Sequence, residues 1–301
     1  MLFGGHETFH IRDGWLHKGL GASHKDPMVF ADPFATDVLG VGRNMVKAIR
    51  YWMVAAGLAE EASVSDGEGR RKPQVSLSPV GKTILRKDPY FEEEMTLWLL
   101  HYHLATNKRR ATAWYWAFNE FPMTNFDSKA FVTYLSRWTS VENPKKVTKV
   151  ETLAKDFNCL IRTYTAERLS SRKLTPEDVF ECPLASLRLI DAFQSAGNFR
   201  INVNNRAIPE PVFAFSILDF MRKNDVEGSH IGFKELSSRP GSPGRVFALN
   251  ADGVLENLSR IESKYGKKNF AFSRTAGLNS LKVKAQPLIA LLNDGYQGLG
   301  K

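Results

Sequence analysis

The chain has 301 residues, 43% of them apolar and 11% aromatic, which is too much for one small module and enough to fill two or three packed units. Its 41 Lys and Arg against 32 Asp and Glu leave a formal charge of +9, which favours a polyanionic partner because each neutralised phosphate releases counterions. Cys159 and Cys182 form no CxxC pair, which argues against a disulfide framework or zinc finger, and neither a signal-peptide pattern nor a bilayer-length apolar run is present, so a cytoplasmic protein with no membrane role is expected.

In chain order, His6, Glu7, Thr8, Phe9 and His10 come first and match HExxH. On a helix that motif sets two histidines on one face to hold zinc, with the glutamate activating water. The match follows Gly4 and Gly5 directly, so no preceding element buttresses a catalytic helix, and this argues against a metalloprotease. The alternative is a polar and aromatic cluster of His6, Glu7, His10, Arg12 and Trp15. It either ties the terminus down or manages water or a metal near phosphate, with Glu7 and His6 as the metal-binding pair.

Residues 39–58, LGVGRNMVKAIRYWMVAAGL, read as one amphipathic helix. Val46, Ile49, Met53 and Ala56 recur at helical spacing as a stripe to bury, while Arg43, Asn44, Lys47 and Arg50 fall on the other side. A solvated face is the plain explanation. The sequel favours another: Gly57 stops the helix, an extended run follows, then the basic loop SDGEGRRKP with Arg70, Arg71 and Lys72, then the extended run QVSLS. Helix, strand, basic loop, strand is the order of a winged helix, in which Arg43, Asn44, Lys47 and Arg50 face the major groove and the wing cations hold phosphates. Ser78 and Pro79 then open a short helix as N-cap and first residue.

Beyond Asp88, DPYFEEEMTLWLLHYHL and ATAWYWAFNEF predict packed helices carrying Leu97, Leu100, Leu104, Trp114, Ala117 and Phe121 at spacings of three and four. His101 and His103, two apart, cannot share a helical face as metal ligands. Trp114, Tyr115, Trp116 and Trp138 are read as core, with a partner-docking surface as the alternative. Residues 126–138 and 147–164 predict further helices, the latter behind Lys145, Lys146 and Lys149. Residues 166–183, broken by Pro176 and Pro183, mark a connection.

The last segment predicts a helix at VFAFSILDFMRKN, a short helix, turn and strand at HIGFKELSSRPGSPGRVFAL, and a helix at ADGVLENLSRIES, which together suggest a second winged helix. Arg239 and Arg245 flank its Pro/Gly elbow, placed either to clamp a phosphate or as plain loop charges. Residues 263–293 hold Lys264, Lys267, Lys268, Arg274, Lys282 and Lys284 with no acid, an expected electropositive face. The fold expected is therefore mainly α, with winged-helix domains (α with small β-wings) flanking a helical middle region. The expected units are an N-terminal winged-helix DNA-binding domain over 1–87, a helical middle domain over 88–183 and a C-terminal winged-helix-like basic domain over 184–301.

The ordered set GHETFHIRDGWLHKG, LGVGRNMVKAIRYWMVAAGL, LSPVGKTIL, DPYFEEEMTLWLLHYHL, ATAWYWAFNEF, RPGSPGRVFAL and TAGL resembles the SspB-type domain-of-unknown-function family (DUF4007) of bacterial DNA phosphorothioation and anti-phage defence systems, along almost the entire chain. The resemblance implies double-stranded DNA as a partner, nicked with magnesium or manganese so that sulfur can enter the backbone. It also implies a cysteine desulfurase, an ATPase and a sulfurtransferase resembling phosphoadenosine phosphosulfate (PAPS) reductase beside it. A non-catalytic recruitment or regulatory subunit is the alternative, and a homodimer is left open. His6, Glu7, His10 and Arg12 are the positions matching the family's N-terminal motif and so its catalytic candidates.

Overall fold

Glycines divide the N-terminal region into short helices and a hairpin, and the computed structural model places them in chain order. It describes residues 1–65, 67, 69–165, 182–193, 197–226, 228–275 and 278–297. Helix α1 (Trp15–Lys25) leads through a 3-10 turn at Val29–Ala31 to α2 (Ala35–Leu39). Gly40, at φ 62°, closes α2 in the left-handed conformation that glycine adopts without Cβ strain, and α3 (Arg43–Ala55) follows. Strands β1 (Ala59–Ser65) and β2 (Arg71–Leu77) pair antiparallel in register from Ala59↔Leu77 to Ser65↔Arg71. The Val75 amide donates to the Pro27 carbonyl at 2.8 Å, which ties the hairpin to the segment behind α1.

Helix α4 (Pro79–Lys87) starts as its sequence predicts. The Ser78 hydroxyl accepts from the Gly81 amide at 3.0 Å and donates to the Gly57 carbonyl at 2.7 Å, joining the helix start to the end of α3. Gly81 is there for closeness, since a Cβ would stand 2.0 Å from the Leu58 carbonyl oxygen.

The middle region holds α5 (Glu94–Thr106), α6 (Thr112–Asn119), α7 (Ser128–Glu142) and α8 (Val150–Tyr164). The helix expected from residue 126 begins at Ser128, because Asp127 caps it by accepting from the Ala130 amide at 2.7 Å. Residues 125–127 instead form β3, which pairs with β5 (Asn198–Ile201), itself paired with β4 (Ile190–Ala192). Most of the expected connection, residues 166–181, lies outside the described residues.

Towards the C-terminus come α9 (Glu210–Lys223), β6 (His230–Gly232), α10 (Phe233–Ser238), α11 (Pro243–Val246), α12 (Ala251–Tyr265), β7 (Phe270–Thr275), β8 (Leu278–Val283) and α13 (Leu288–Gln297). The strands form an antiparallel sheet in the order β6-β8-β7. RVFAL was expected as a strand. Its first two residues instead complete the helical turn α11, because Ser242 accepts from the Arg245 amide and Pro243 fixes the first helical φ. The protein is thus mainly α with small antiparallel sheets. No helix among the described residues is long and apolar enough to cross a membrane.

The core is aromatic, and it takes up Trp114 and Trp116 as expected. Trp114 and Trp116 are fully buried, Tyr115 and Trp138 half-buried, and Trp114 meets Trp52 edge to face at 5.2 Å. His101 is also core. Its Nε2 donates to the Val246 carbonyl at 2.7 Å, its Nδ1 accepts from the Tyr164 hydroxyl at 2.8 Å, and burial holds its pKa down at about 3. Below pH 6.5 the unfolded chain takes up a proton that the folded imidazole refuses, so stability falls as the pH drops from 6.5 towards 3. We expect a loss of about 2 kcal/mol by pH 5 from this residue. Urea denaturation at pH 7.5 and pH 5, compared with His101→Gln, checks it; an equal acid loss in the variant rules the residue out as the cause.

Candidate nucleic-acid interface

Helix α3 is built from the stripe its sequence announces. Val46, Ile49, Met53 and Ala56 are buried, as are Ala48, Tyr51 and Trp52. The Trp52 indole donates to the Phe9 carbonyl at 3.0 Å and the Tyr51 hydroxyl to the Arg110 carbonyl at 3.0 Å, so two polar tips as well as an apolar stripe fix the helix about its axis. The opposite side carries Arg43, Asn44 and Lys47, all exposed, with Arg50 half-buried beyond them. Lys47 Nζ reaches Asn44 Oδ1 at 3.4 Å and Glu7 Oε1 at 3.6 Å. The second contact is an exposed ion pair, worth about 0–1 kcal/mol, and yields readily to a phosphate. Arg43 and Arg50 have no hydrogen-bond or ion-pair partner among the described residues.

Arg71 and Lys72 begin β2 and Arg70 precedes it, all three exposed, at the loop end of the hairpin. Asp66 and Glu68 of the same loop lie outside the described residues. Lys18 was not anticipated. Its exposed ammonium sits by the α2–α3 turn, 3.8 Å from where a Cβ on Gly40 would be, and brings a further cation to the ridge.

The HExxH residues do not form a helix. Glu7 and Thr8 have φ of 51° and 70°, a left-handed pair that turns the chain sharply, with Phe9 N–H donating to the His6 carbonyl at 2.9 Å. His6 is 0% exposed. The Thr8 amide donates to its Nδ1 at 3.0 Å, which leaves the proton on Nε2, and that proton goes to Asp156 Oδ1 at 3.1 Å. Asp156 Oδ2 in turn accepts from the Gly4 amide at 2.9 Å. Both ring nitrogens are therefore engaged, and Glu7 turns outward to Lys47, so His6 and Glu7 do not fit a shared metal. Among the described residues no group of three or more His, Cys, Asp or Glu side chains is arranged to hold one. Of the other candidates, His10 is half-buried, and Arg12 lies over the Phe9 and Trp15 rings at 5.3 and 5.4 Å with its Nε unpartnered. Arg12 and Trp15 thus meet around Phe9, while His6, through Asp156, ties the terminus to α8.

The model of the family described as "Protein of unknown function (DUF4007)" matches residues 3–295. The chain belongs to the DUF4007 family. It is similar to a crystal structure of SspB, with a TM-score of 0.86 and 27% identity over 99% of this chain and 88% of that one. It is similar also to a magnesium ion-bound SspB crystal structure, with a TM-score of 0.86 and 26% identity over the same shares. No curated protein sequence matches it.

In this DUF4007 chain the C-terminal candidates separate. Arg239 is exposed, bonded to Glu235 at 3.3 Å and stacked over Phe220 at 5.8 Å. Arg245 is drawn inward instead. Its Nη2 donates to the Asn119 carbonyl at 2.6 Å, burial pushes its pKa down, and it lines a cleft of about 280 Å³ with Glu120 and Leu249. The two arginines thus do not form the anticipated phosphate clamp, because Arg245 braces α6 against α11. Of the basic stretch, Lys264 is within 3.9 Å of Glu210, while Lys267, Lys268, Lys282 and Lys284 are exposed; the Arg274 side chain lies outside the described residues. Asp156, the residue that assigns His6 its place, carried no sequence signal, since it stands 150 positions away.

Proposed function

We propose that this protein is a DNA-binding component of a bacterial DNA phosphorothioation defence system. It grips duplex DNA as a winged helix, with α3 in the major groove and the β1–β2 hairpin as the wing. The observation that carries this reading is the exposure of Arg43, Asn44 and Lys47 together on a helix whose other face is fully packed. Arg70, Arg71 and Lys72 at the hairpin's loop end add phosphate contacts. The order α9, β6, α10–α11, α12, β7, β8 supports a second winged-helix unit within 184–301, and the middle helices within 88–183 connect the two. Likeness to SspB supports the system, and with it a cysteine desulfurase, an ATPase and a PAPS-reductase-like sulfurtransferase as partners.

A second reading, nicking of one strand with magnesium or manganese, is favoured by the likeness to magnesium-bound SspB and by Glu7 standing at the edge of the cationic ridge. In it Glu7 or His10, three positions on, acts as general base towards the attacking water, with Arg12 offering charge to the phosphate. His6 holds the turn through its bonds to the Thr8 amide and Asp156.

Fluorescence anisotropy of a labelled duplex tests the first reading, and supercoiled plasmid with magnesium tests the second. Tight, salt-sensitive binding is expected of the wild-type chain and of Glu7→Ala alike. Nicking lost in Glu7→Ala supports the second reading. Nicking that survives in both Glu7→Ala and His10→Ala removes this cluster from it, and absence of duplex binding overturns the first.

A further inference from the structure

Two exposed apolar patches carry opposite charge. The first is the outer face of α2, where Phe34 is 67% and Val38 59% exposed while Ala35 and Leu39 on the inner face are buried. Residues 26–38 contain Asp26, Asp32 and Asp37 and no Lys or Arg, and Lys18 stands past the far end of α2, by Gly40. Asp32 Oδ1 accepts from the Phe34 amide at 2.7 Å, so the backbone that presents this ring is held by a local bond. Asp37 lies one helical turn from Phe34 and next to Val38 on the same outer face.

The second patch is the connection from α7 to α8. Val141 is 79%, Val147 81% and Val150 54% exposed, among the exposed Lys145, Lys146 and Lys149. Glu142 is paired with Lys108 at 2.5 Å, and the exposed Glu151 is the one further acid of this stretch, so the patch presents its valines with three lysines in excess over it. Leaving such side chains in water forgoes about 25 cal/mol for each Å² that a partner would cover. A polyanion would engage the lysines and leave the valines wet, since an aliphatic side chain offers no stacking surface to a base. An acidic surface with apolar side chains satisfies both, and α2 of the same chain is one.

We propose that copies of this chain associate head to tail, the Phe34–Val38 acidic face of one copy seated on the Val147 basic face of the next. The two faces are different surfaces, so the contact is heterologous and leaves one face of each kind open at the ends of a dimer, from which a chain or ring grows. Charge complementarity sets its register and makes it sensitive to salt.

Sedimentation velocity of the full chain, free of nucleic acid, at concentrations up to about 300 µM and at low and high salt is the test. The mean mass is expected to rise with concentration beyond the monomer and to fall with salt. Lys146→Glu with Val147→Glu removes the basic face, and Phe34→Lys with Asp37→Lys removes the acidic one; each double variant alone is expected to associate at least about tenfold more weakly. An equimolar mixture of the two is expected to form a one-to-one dimer that grows no further, because each copy keeps one intact face, and misfolded variants would not produce it. A wild-type chain monomeric throughout overturns the proposal, as do association unmoved by either variant and a mixture that stays monomeric.

Discussion

Replacing Arg43 and Lys47 together by alanine is expected to weaken duplex binding about fifty- to a hundredfold near 0.1 M salt. The slope of log K against log salt should become shallower by about two, one for each lost phosphate contact. Both side chains are exposed on α3, and the substitutions touch no buried contact, so melting temperature should not move. The two residues are not equivalent. Lys47 starts within 3.6 Å of Glu7 and must leave it to meet a phosphate, whereas Arg43 has no ion-pair partner among the described residues. Glu7→Gln should therefore raise affinity slightly while Arg43→Ala alone lowers it more than Lys47→Ala. Anisotropy titrations of each variant at three salt concentrations give the slopes. A double variant whose slope matches that of the wild type would place the DNA elsewhere on the molecule.

The second large effect is on stability. Asp156→Ala removes the acceptor of both the His6 Nε2–H and the Gly4 amide. His6 stays enclosed by the Tyr51, Trp52 and Trp114 rings, with centroids 5.8–6.1 Å away, and water does not reach it without opening the core. Two orphaned donors, each formerly bonded to a carboxylate, amount to a loss of about 3 kcal/mol. Asp156→Asn keeps one acceptor oxygen and should lose roughly half as much. Urea denaturation at pH 7.5 measures both. If His6 were instead a reacting group, Asp156→Asn would leave stability untouched and abolish strand cleavage; a variant as stable as the wild type therefore returns His6 to the list of catalytic candidates.

The reach of the sequence is clearest where local chemistry was sufficient. The buried stripe of α3, the Ser78 cap with Pro79, the helix over 251–265 and the aromatic core around Trp114 follow from residues within a few positions of one another. The sheet of β3, β5 and β4 did not, because strands of three or four residues carry almost no alternation, and β3 finds its partner some seventy positions downstream at Phe126↔Phe199. RVFAL misled because β-rich composition lost to a serine cap and a proline.

The same division runs through the candidate site. Spacing alone decided that Arg43, Asn44 and Lys47 share an outward face, since a helix of fixed pitch with a buried stripe leaves them nowhere else to go. Whether HExxH made a metal site was decided only by packing. The motif's letters do not record that Glu7 and Thr8 take positive φ, nor that Asp156, brought in by α8, claims the histidine. Arg239 and Arg245 look alike in sequence and part company in the fold, one in water and one bonded to the Asn119 carbonyl. Periodicity reports which side of an element is buried, because burial follows local geometry. The partner a buried polar atom finds is set by which distant element packs against it, and that is a property of the folded chain.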